Sequence, residues 1–233
     1  MKRNTSGSGG YSANPQPGGY TATNVPLALI IQFAYVVDDY RLLGGPGWIQ
    51  STRFDIAARA NRDVPLADVR EMLQSLLEDR FMLVTHREQR EMPIFALRLA
   101  RSDGRLGPGL KRVDDNCGRS NDAGKGPGDA PAGAVRWNAC GPIAIVASMA
   151  SRELGTPVRD QTGVTGTFDM FLYRSPEGSR QVGGVPRADS AAADPNLPSF
   201  PAALQEQLGL KLESGRGPVD VLVIDSVQQP TDN

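Results

Sequence analysis

The sequence predicts an α+β fold made of two pseudo-repeated units, each a mainly antiparallel sheet with two helices on one face. Three observations predict this fold class. Short apolar segments with strand alternation are bounded by turn residues, four longer segments have helical apolar spacing, and the same order of elements returns after a Gly/Pro-rich interval. With 233 residues and 39% hydrophobic side chains, the chain can bury a core, while 26 glycines and 18 prolines favour long loops.

The first unit is predicted to span residues 21–100, after a flexible arm at residues 1–20 that is rich in Gly, Ser, Asn and Pro. Asn24 is expected to cap the first helix, which starts at Pro26, and the second helix is expected to start near Pro65. Strands are expected at the alternating or short apolar runs of residues 20–23, 40–43 and 53–58.

A charged hairpin is predicted at the end of the first unit. Residues 81–86 and 94–100 are its expected strands, and the charged run Arg87–Glu91 is its expected tip. Charged side chains at such a tip are usually solvated, and they are also available to contact a partner.

The second unit is predicted to span residues 135–233, after a Gly/Pro-rich linker at residues 101–134. It contains a further loop at residues 175–198, and a second hairpin, formed by residues 208–213 and 219–224, closes it. The last strand has little polar alternation, which predicts a central strand that is buried on both faces.

The predicted repeat rests on residue matches at nearly constant offsets. Matching Asn and Asp at element boundaries is harder to obtain by chance than matching apolar residues, so the pattern indicates a pseudo-symmetric pair rather than a solenoid. The matches, at an offset of 114 residues and later of 127, are Asn24/Asn138, Ile31/Ile145, Phe54/Phe168, Asp55/Asp169, Leu77/Leu204, Phe81/Leu208 and Leu83/Leu210.

Composition and motifs argue against several classes of function. The 25 basic and 26 acidic residues give a net charge of -1, which argues against a nucleic-acid binder. No apolar run reaches the length of a membrane span, and no phosphate-binding glycine loop is present, so neither a membrane span nor a cofactor is expected. His86 is the only histidine, and no nucleophile elbow accompanies it, which argues against a catalytic triad.

The two cysteines, Cys117 and Cys140, lie 23 positions apart across a polar, Gly-rich stretch. Together with His86 they are not spaced like metal ligands, so no metal site is expected. An even number of cysteines permits one disulfide in an oxidising compartment. The spacing alone leaves open whether the two residues are bridged or remain free thiols.

Eight strings, spread over nearly the whole chain, form a specific combination: Tyr20–Val25, Gly44–Ile49, Arg53–Ile56, Met72–Phe81, His86–Pro93, Asp160–Asp169, Ala203–Glu213 and Gly217–Asp225. In this combination the sequence resembles the DUF3738 family, which is also described as a soil-associated conserved hypothetical family expanded in Acidobacteria. Because that family has no established activity, the resemblance implies no catalytic residue and no cofactor.

The resemblance implies an extracytoplasmic location, periplasmic or secreted, because members of the family typically begin with a secretory signal. An exported location favours a bridge between Cys117 and Cys140. Related domains occur beside membrane-bound peptidases, and the repeat is similar to the short N-terminal domains of secretins and TonB-dependent receptors. This likeness at the level of the fold implies a sensory or partner-binding role.

The sequence departs from the family at its start. Members carry a signal peptide and an apolar strand before a Lys-x-Asn-x-Ser-Gly segment, whereas here Met1 directly precedes that segment at Lys2–Gly7. We therefore expect a start codon assigned too late or a trimmed N-terminus. If the preceding strand is absent, its sheet is expected to have an exposed edge.

The leading functional hypothesis is a non-enzymatic, extracytoplasmic interaction or sensory domain that binds an unknown protein or envelope ligand. Exposed sheet edges allow a partner to add a strand. Candidate contact residues are Trp48 and Ile49, which follow a glycine-rich turn, and Arg87 and Arg90 in the charged run.

The alternative hypothesis is a hydrolase that uses carboxylates and acts on an unknown substrate. Asp55 and Asp169 are related by the repeat, while Asp79 and Asp160 lie at the ends of predicted elements. Paired carboxylates can perform general acid–base catalysis. The same positions also suit capping and turn hydrogen bonds, which is the structural interpretation.

Overall fold

The structure is a computed structural model that describes residues 1–7, 10–60, 62–113, 117, 131–176 and 196–230. Its sheets are mostly antiparallel and its helices few, which confirms the predicted α+β class. Two compact units are present. Unit 1 contains Met1–Arg90 and Pro218–Asn233, and unit 2 contains Glu91–Gln181 and Pro186–Gly217. Parts of the predicted linker at 101–134 and most of the predicted loop at 175–198 lie outside the described residues.

Unit 1 contains a four-stranded antiparallel sheet in the order β1-β5-β3-β2. Strand alternation points Tyr20 and Ala22 of β3, and Phe54 and Ile56 of β5, into the core. The strands that begin in this unit are β1 (Lys2–Arg3), β2 (Ser12–Gln16), β3 (Gly19–Pro26), β4 (Leu42–Gly44), β5 (Arg53–Arg59) and β6 (Val84–Leu99).

The helices of unit 1 are α1 (Leu27–Tyr35), α2 (Trp48–Ser51) and α3 (Leu66–Phe81). The predicted apolar faces of α1 and α3 are confirmed, because residues three or four positions apart are fully buried in one cluster. Phe81 ends α3 and packs edge-on against Phe54, with 5.1 Å between ring centroids. This cluster is the core of the unit.

The N-terminal segment forms strands rather than the predicted arm at residues 1–20. β1 pairs with β5 and β2 pairs with β3, so the chain start lies within the sheet. Asn4 reinforces this pairing, since its side-chain amide donates to Asp55 Oδ1 at 2.7 Å. Local Gly and Pro content misled the prediction, because edge strands tolerate Pro15 and hydrogen bonds come from residues distant in sequence.

The predicted Asn24 cap is also wrong. α1 has Pro26 at its N-cap position and no side-chain cap hydrogen bond. Asn24 is buried and left-handed with φ 59°, and its side-chain amide donates to Gly10 O at 2.5 Å. Asparagine tolerates this conformation better than other residues, which explains its presence at the irregularity between Ala22 and Val25.

Unit 2 contains a three-stranded antiparallel sheet in the order β7-β10-β8. Alternation along β10 buries Phe168, Met170 and Leu172 on one face. Helix α4 covers that core with residues at helical spacing, including Val146 and Ala150. The elements are β7 (Leu110–Val113), β8 (Val135–Gly141), α4 (Ala144–Leu154), β9 (Val158–Asp160), β10 (Thr167–Arg174), α5 (Phe200–Ala203), a π-helix (Leu204–Leu208) and β11 (Leu210–Ser226).

Gln207 of the π-helix completes the hydrogen bonding of β10. Its side-chain amide donates to Tyr173 O at 2.7 Å, and its Oε1 accepts from Tyr173 N–H at 3.0 Å. One side chain therefore supplies both bonds that a neighbouring strand would make, beyond the four positions of β10 that pair with β7.

Two long strands replace both predicted hairpins. β6 runs without a turn through Arg87–Glu91, and β11 runs without a turn through residues 214–218. The two strands are hydrogen-bonded neighbours, and each contributes residues to both units. The charged run contains no Gly, Asn or Asp for a tight turn, which explains why it stays extended. The predicted burial of the last strand on both faces is confirmed by Val221 and Leu222, each 1% exposed.

Candidate functional site

The first half of β6 has an open edge. At Phe95–Leu97 the strand pairs in parallel with β9, where Phe95 N–H donates to Pro157 O at 2.8 Å and Leu97 O accepts from Gln161 N–H at 3.0 Å. The preceding segment, Val84–Glu91, has β11 on one side only; within the described ranges no strand pairs with its other side. We call this segment the open edge.

Backbone orientation along the open edge follows from strand alternation. Phe95 and Leu97 direct their backbone groups toward β9, away from β11. Every second residue of a strand does the same, so Arg87 and Gln89 present N–H and C=O groups outward. Such unpaired groups are a template for an added strand.

One face of the open edge has a network of alternating charges. His86 Nδ1 lies 2.9 Å from both carboxylate oxygens of Asp225 on β11, and His86 Nε2 lies 3.6 Å from Glu88 Oε2. Arg90 forms an ion pair with Glu88 on the same strand. The hydrogen bond to Asp225, followed by the charge of that carboxylate and the contacts of Glu88, raises the pKa of His86.

The other face of the open edge contacts the end of α1. Arg87 donates from its guanidinium to Tyr35 O at 2.9 Å, which satisfies one of the free carbonyls of a helix C-terminus. Burial raises the pKa of the Tyr35 hydroxyl, although a hydrogen bond with Thr85 opposes this effect. Both Thr85 and Arg87 are therefore held in place by side-chain contacts on this face.

Hydrogen bonds from side chains also link the open edge to β11. Gln89 Nε2 donates to Asp220 Oδ1 at 3.1 Å, and Arg41 Nε donates to Asp220 O at 2.7 Å. Arg216 donates to Glu91 O at 3.1 Å. Side chains thus fix the strand, while the outward backbone groups of Arg87 and Gln89 have no backbone partner among the described residues.

The four predicted contact residues divide into two groups. Ile49 is 2% exposed in the core of unit 1, and Trp48 is partly buried and stacks on Phe81 with 6.4 Å between ring centroids. Packing within unit 1 therefore accounts for both residues. Arg87 and Arg90 are exposed, and the structure places both on the open edge.

The carboxylates of the hydrolase hypothesis are used structurally or stand apart. Asp55 accepts hydrogen bonds from Asn24 N–H and Asn4, and these bonds lower its pKa. Asp160 accepts from the N–H and hydroxyl of Thr162, which closes a turn. Asp79 is exposed on α3. Asp169 lies in β10, opposite Cys140 of β8. Within unit 1, and likewise within unit 2, these residues form no carboxylate pair in the described chain.

Cys117 and Cys140 form a disulfide in unit 2, with 5.6 Å between their Cα atoms. It attaches residue 117 to strand β8. Among the described residues no group of three or more His, Cys, Asp or Glu side chains is arranged to hold a metal ion. Among the helices in the described ranges, none combines the length with the apolar composition that a membrane span requires.

Among the exposed large apolar side chains in the described part of unit 1, Val36, Met82 and Val84 are the most exposed, and the sequence did not indicate them. Val36 and Met82 follow α1 and α3 directly and are 62% and 56% exposed, and Val84 begins the open edge. Both helix-end residues have positive φ, 55° and 48°. A valine with positive φ is an outlier, and no sequence pattern predicts it.

The sequence matches the model of a family described as proteins of unknown function, DUF3738, over residues 28–227. This range covers most of the chain. The chain belongs to the DUF3738 family. The match contains the open edge and both long strands, whereas β1, β2 and β3 precede it. Neither the curated proteins nor the solved structures contained a match, so no site residue is transferred to this DUF3738 chain.

Proposed function

We propose that this protein is a non-enzymatic interaction domain that binds a protein partner by strand addition at the open edge. The single observation that carries the proposal is a strand, β6, whose first half has hydrogen-bonding neighbours on one side only among the described residues. Backbone hydrogen bonds to the added strand supply affinity, and alternating side chains supply specificity.

We place the protein outside the cytoplasm, in the periplasm or secreted, with an envelope protein as its partner. The Cys117–Cys140 disulfide is compatible with this location, because structural disulfides persist in oxidising compartments. The near-neutral net charge of -1 supports a protein partner rather than a nucleic acid. No observation favours the hydrolase alternative.

We also propose that the two units are copies of one α+β unit. Support comes from the helices, where an offset of 116 residues, rather than 114, pairs Pro26 with Pro142 and superposes buried positions: Leu27 with Ile143, Ile30 with Val146, Ile31 with Ala147 and Ala34 with Ala150. Leucine at Ala34 or Ala150 should therefore overpack each core to a similar extent, whereas leucine at exposed Ser148 should be tolerated. Thermal unfolding measures all three variants.

A photo-crosslinking amino acid tests the proposed function in the envelope of the source organism. We would place it at Gln89 of the open edge and, as a matched control, at exposed Glu71 of α3. The proposal expects an adduct of discrete mass from position 89 only. Amide hydrogen exchange of the purified complex should then show protection at Arg87 and Gln89. Equal adducts at both positions, or none at position 89, would refute it.

A further inference from the structure

The order of charges in the run Arg87–Glu91 of the open edge is complementary to the same run in the antiparallel direction. Arg87-Glu88-Gln89-Arg90-Glu91, placed antiparallel against a second identical run and centred on Gln89, sets every arginine opposite a glutamate. Arg87 faces the second copy's Glu91, and Glu88 faces its Arg90. Opposite charges across an antiparallel pair stabilise it, and glutamine side chains at the centre can hydrogen-bond to each other.

Strand alternation makes this register compatible with the backbone. The residues that direct N–H and C=O outward are Arg87, Gln89 and Glu91, since they share the parity of Phe95 and Leu97. In the register centred on Gln89, these same residues meet each other as hydrogen-bonded pairs. Glu91 O already accepts from Arg216, which leaves its second lone pair for the added strand.

The two charged side chains of the run that form no ion pair within the described chain are the ones that a second copy would pair. Among the described residues, neither Arg87 nor Glu91 forms an ion pair; Arg87 donates to a backbone carbonyl instead. Both side chains are exposed. In the register centred on Gln89 they face each other twice, once on either side of the two-fold axis.

Other registers also place the outward-facing residues of the two strands opposite each other, but their charges disfavour them. Moving the centre to Glu88 sets that carboxylate against its own copy and His86 against Arg90, and moving the centre to Arg90 sets two guanidinium groups together. Pro93 has no N–H and ends the ladder beyond Glu91. The pairing is therefore limited to one short segment and closes as a dimer rather than continuing as a fibre.

We propose that the partner at the open edge is a second copy of this chain, bound antiparallel with Gln89 on the two-fold axis. This inference rests on the proposed function, because it names the occupant of the same edge. The alternating charges disfavour homotypic pairing in other registers, so the same run that protects the edge also selects one partner.

Charge reversal tests the register. Arg87→Glu and Glu91→Arg each place like charges together twice in the dimer, and the double variant restores opposite charges. By sedimentation equilibrium we expect each single variant to raise the dimer dissociation constant about tenfold or more, and the double variant to return it to within about threefold of wild type. The matched control, Arg62→Glu, makes the same change in net charge at an exposed position outside β6 and should leave the dimer unchanged.

A cysteine at the symmetry axis provides a second measurement. In the dimer of Gln89→Cys, the Cα atoms of the two introduced cysteines would lie about 5.5 Å apart, a distance that a disulfide can span. Oxidation should give a covalent dimer, whereas Glu71→Cys on α3 should not. A dimer that is insensitive to Arg87→Glu, or a chain that stays monomeric while position 89 crosslinks to another protein, would overturn the second-copy inference. The latter outcome leaves the proposed function intact; a monomer with no crosslink at position 89 refutes both.

Discussion

The two units end their helices in the same left-handed conformation but with different residues. In unit 2 the positions after α4 and the π-helix are Gly155 and Gly209, with φ 59° and 70°. In unit 1 the positions after α1 and α3 are Val36 and Met82, with φ 55° and 48°. Glycine adopts this geometry without strain, whereas a side chain costs roughly 1–2 kcal/mol. The turn is thus required by the connection in both units, and only unit 2 meets it with glycine.

Unit 1 holds its strained turns with hydrogen bonds from its own neighbours. Val37 N–H donates to Gln32 O at 3.0 Å, and Arg87 donates to Tyr35 O. After α3, Gln228 N–H donates to Phe81 O at 2.7 Å. Strained residues persist where the surrounding structure fixes them. Unit 2 relies on other supports, namely the disulfide, the Gln207 amide and the buried ion pair of Arg174 with Glu153 at 2.5 Å.

The largest expected effect on stability is the loss of the disulfide, which should destabilise unit 2 but not unit 1. Cys117→Ser combined with Cys140→Ser should lower the free energy of unfolding of unit 2 by about 3 kcal/mol, because the bridge closes a loop of 23 positions in the unfolded chain. Each unit has one tryptophan, Trp48 in unit 1 and Trp137 in unit 2, so single-tryptophan variants follow each unit in urea. Equal losses in both units would contradict the comparison.

Gly209→Ala should destabilise unit 2 by about 2–3 kcal/mol, since it adds a side chain at φ 70°. The new Cβ would also lie 2.7 Å from Gly107 N and 3.0 Å from Arg105 O, both backbone atoms. The control is Gly163→Ala, where φ is 69° and the space is open, so only the conformational cost of roughly 1–2 kcal/mol remains. Urea unfolding followed at Trp137 measures both; equal losses would exclude the steric contribution.

Asp55→Asn should cost unit 1 about 1–2 kcal/mol at neutral pH, because it weakens charged hydrogen bonds from Asn24 and Asn4. The folded pKa of Asp55 is lowered from 3.8. Its contribution is therefore complete above that ordinary value and is lost as the pH falls through the lowered folded value. Unfolding of wild type and variant, followed at Trp48 from pH 7 to pH 2, should converge in acid. Asp79→Asn on the exposed face of α3 is the control, and a pH-independent difference would argue against the mechanism.

The smallest expected effect has the opposite sign. Val36→Gly should stabilise unit 1 by about 0.5–1 kcal/mol, because relief of the left-handed strain exceeds the entropy cost of glycine. Val84→Gly is the matched control; it removes a similarly exposed valine from a strand and should destabilise the unit instead. Thermal unfolding detects both changes, and a loss of stability in Val36→Gly would mean that the valine side chain makes a compensating contact.

Local sequence patterns predicted the positions of the helices and strands better than they predicted which strands pair with each other. Helical spacing placed α1 and α3 correctly, since an amphipathic face depends only on nearby residues. The strands of both predicted hairpins were located, but their partners were not, because β6 pairs with β11 across more than a hundred positions, as the contact of His86 with Asp225 shows. Nothing local distinguishes a charged hairpin tip from a charged extended strand.

The candidate site was predicted in part for the same reason. Arg87 and Arg90 were selected for their exposure, which holds. That they lie on an open strand edge depends on the short length of β9, a feature of the topology. Ile49 was selected for its glycine-rich neighbourhood, and one of those glycines instead makes room for it, since a Cβ on Gly45 would lie 2.9 Å from Ile49 Cδ1.

The long strand β11 has a consequence for how the protein is made. Unit 1 includes Met1–Arg90 and also Pro218–Asn233, so the ribosome synthesises most of its residues long before the strand that completes it. For example, Arg41 donates a hydrogen bond to Asp220 O, which lies 179 positions later in the sequence. Contacts at such separation form late and fold slowly. A nascent chain therefore cannot complete unit 1 until β11 has been synthesised.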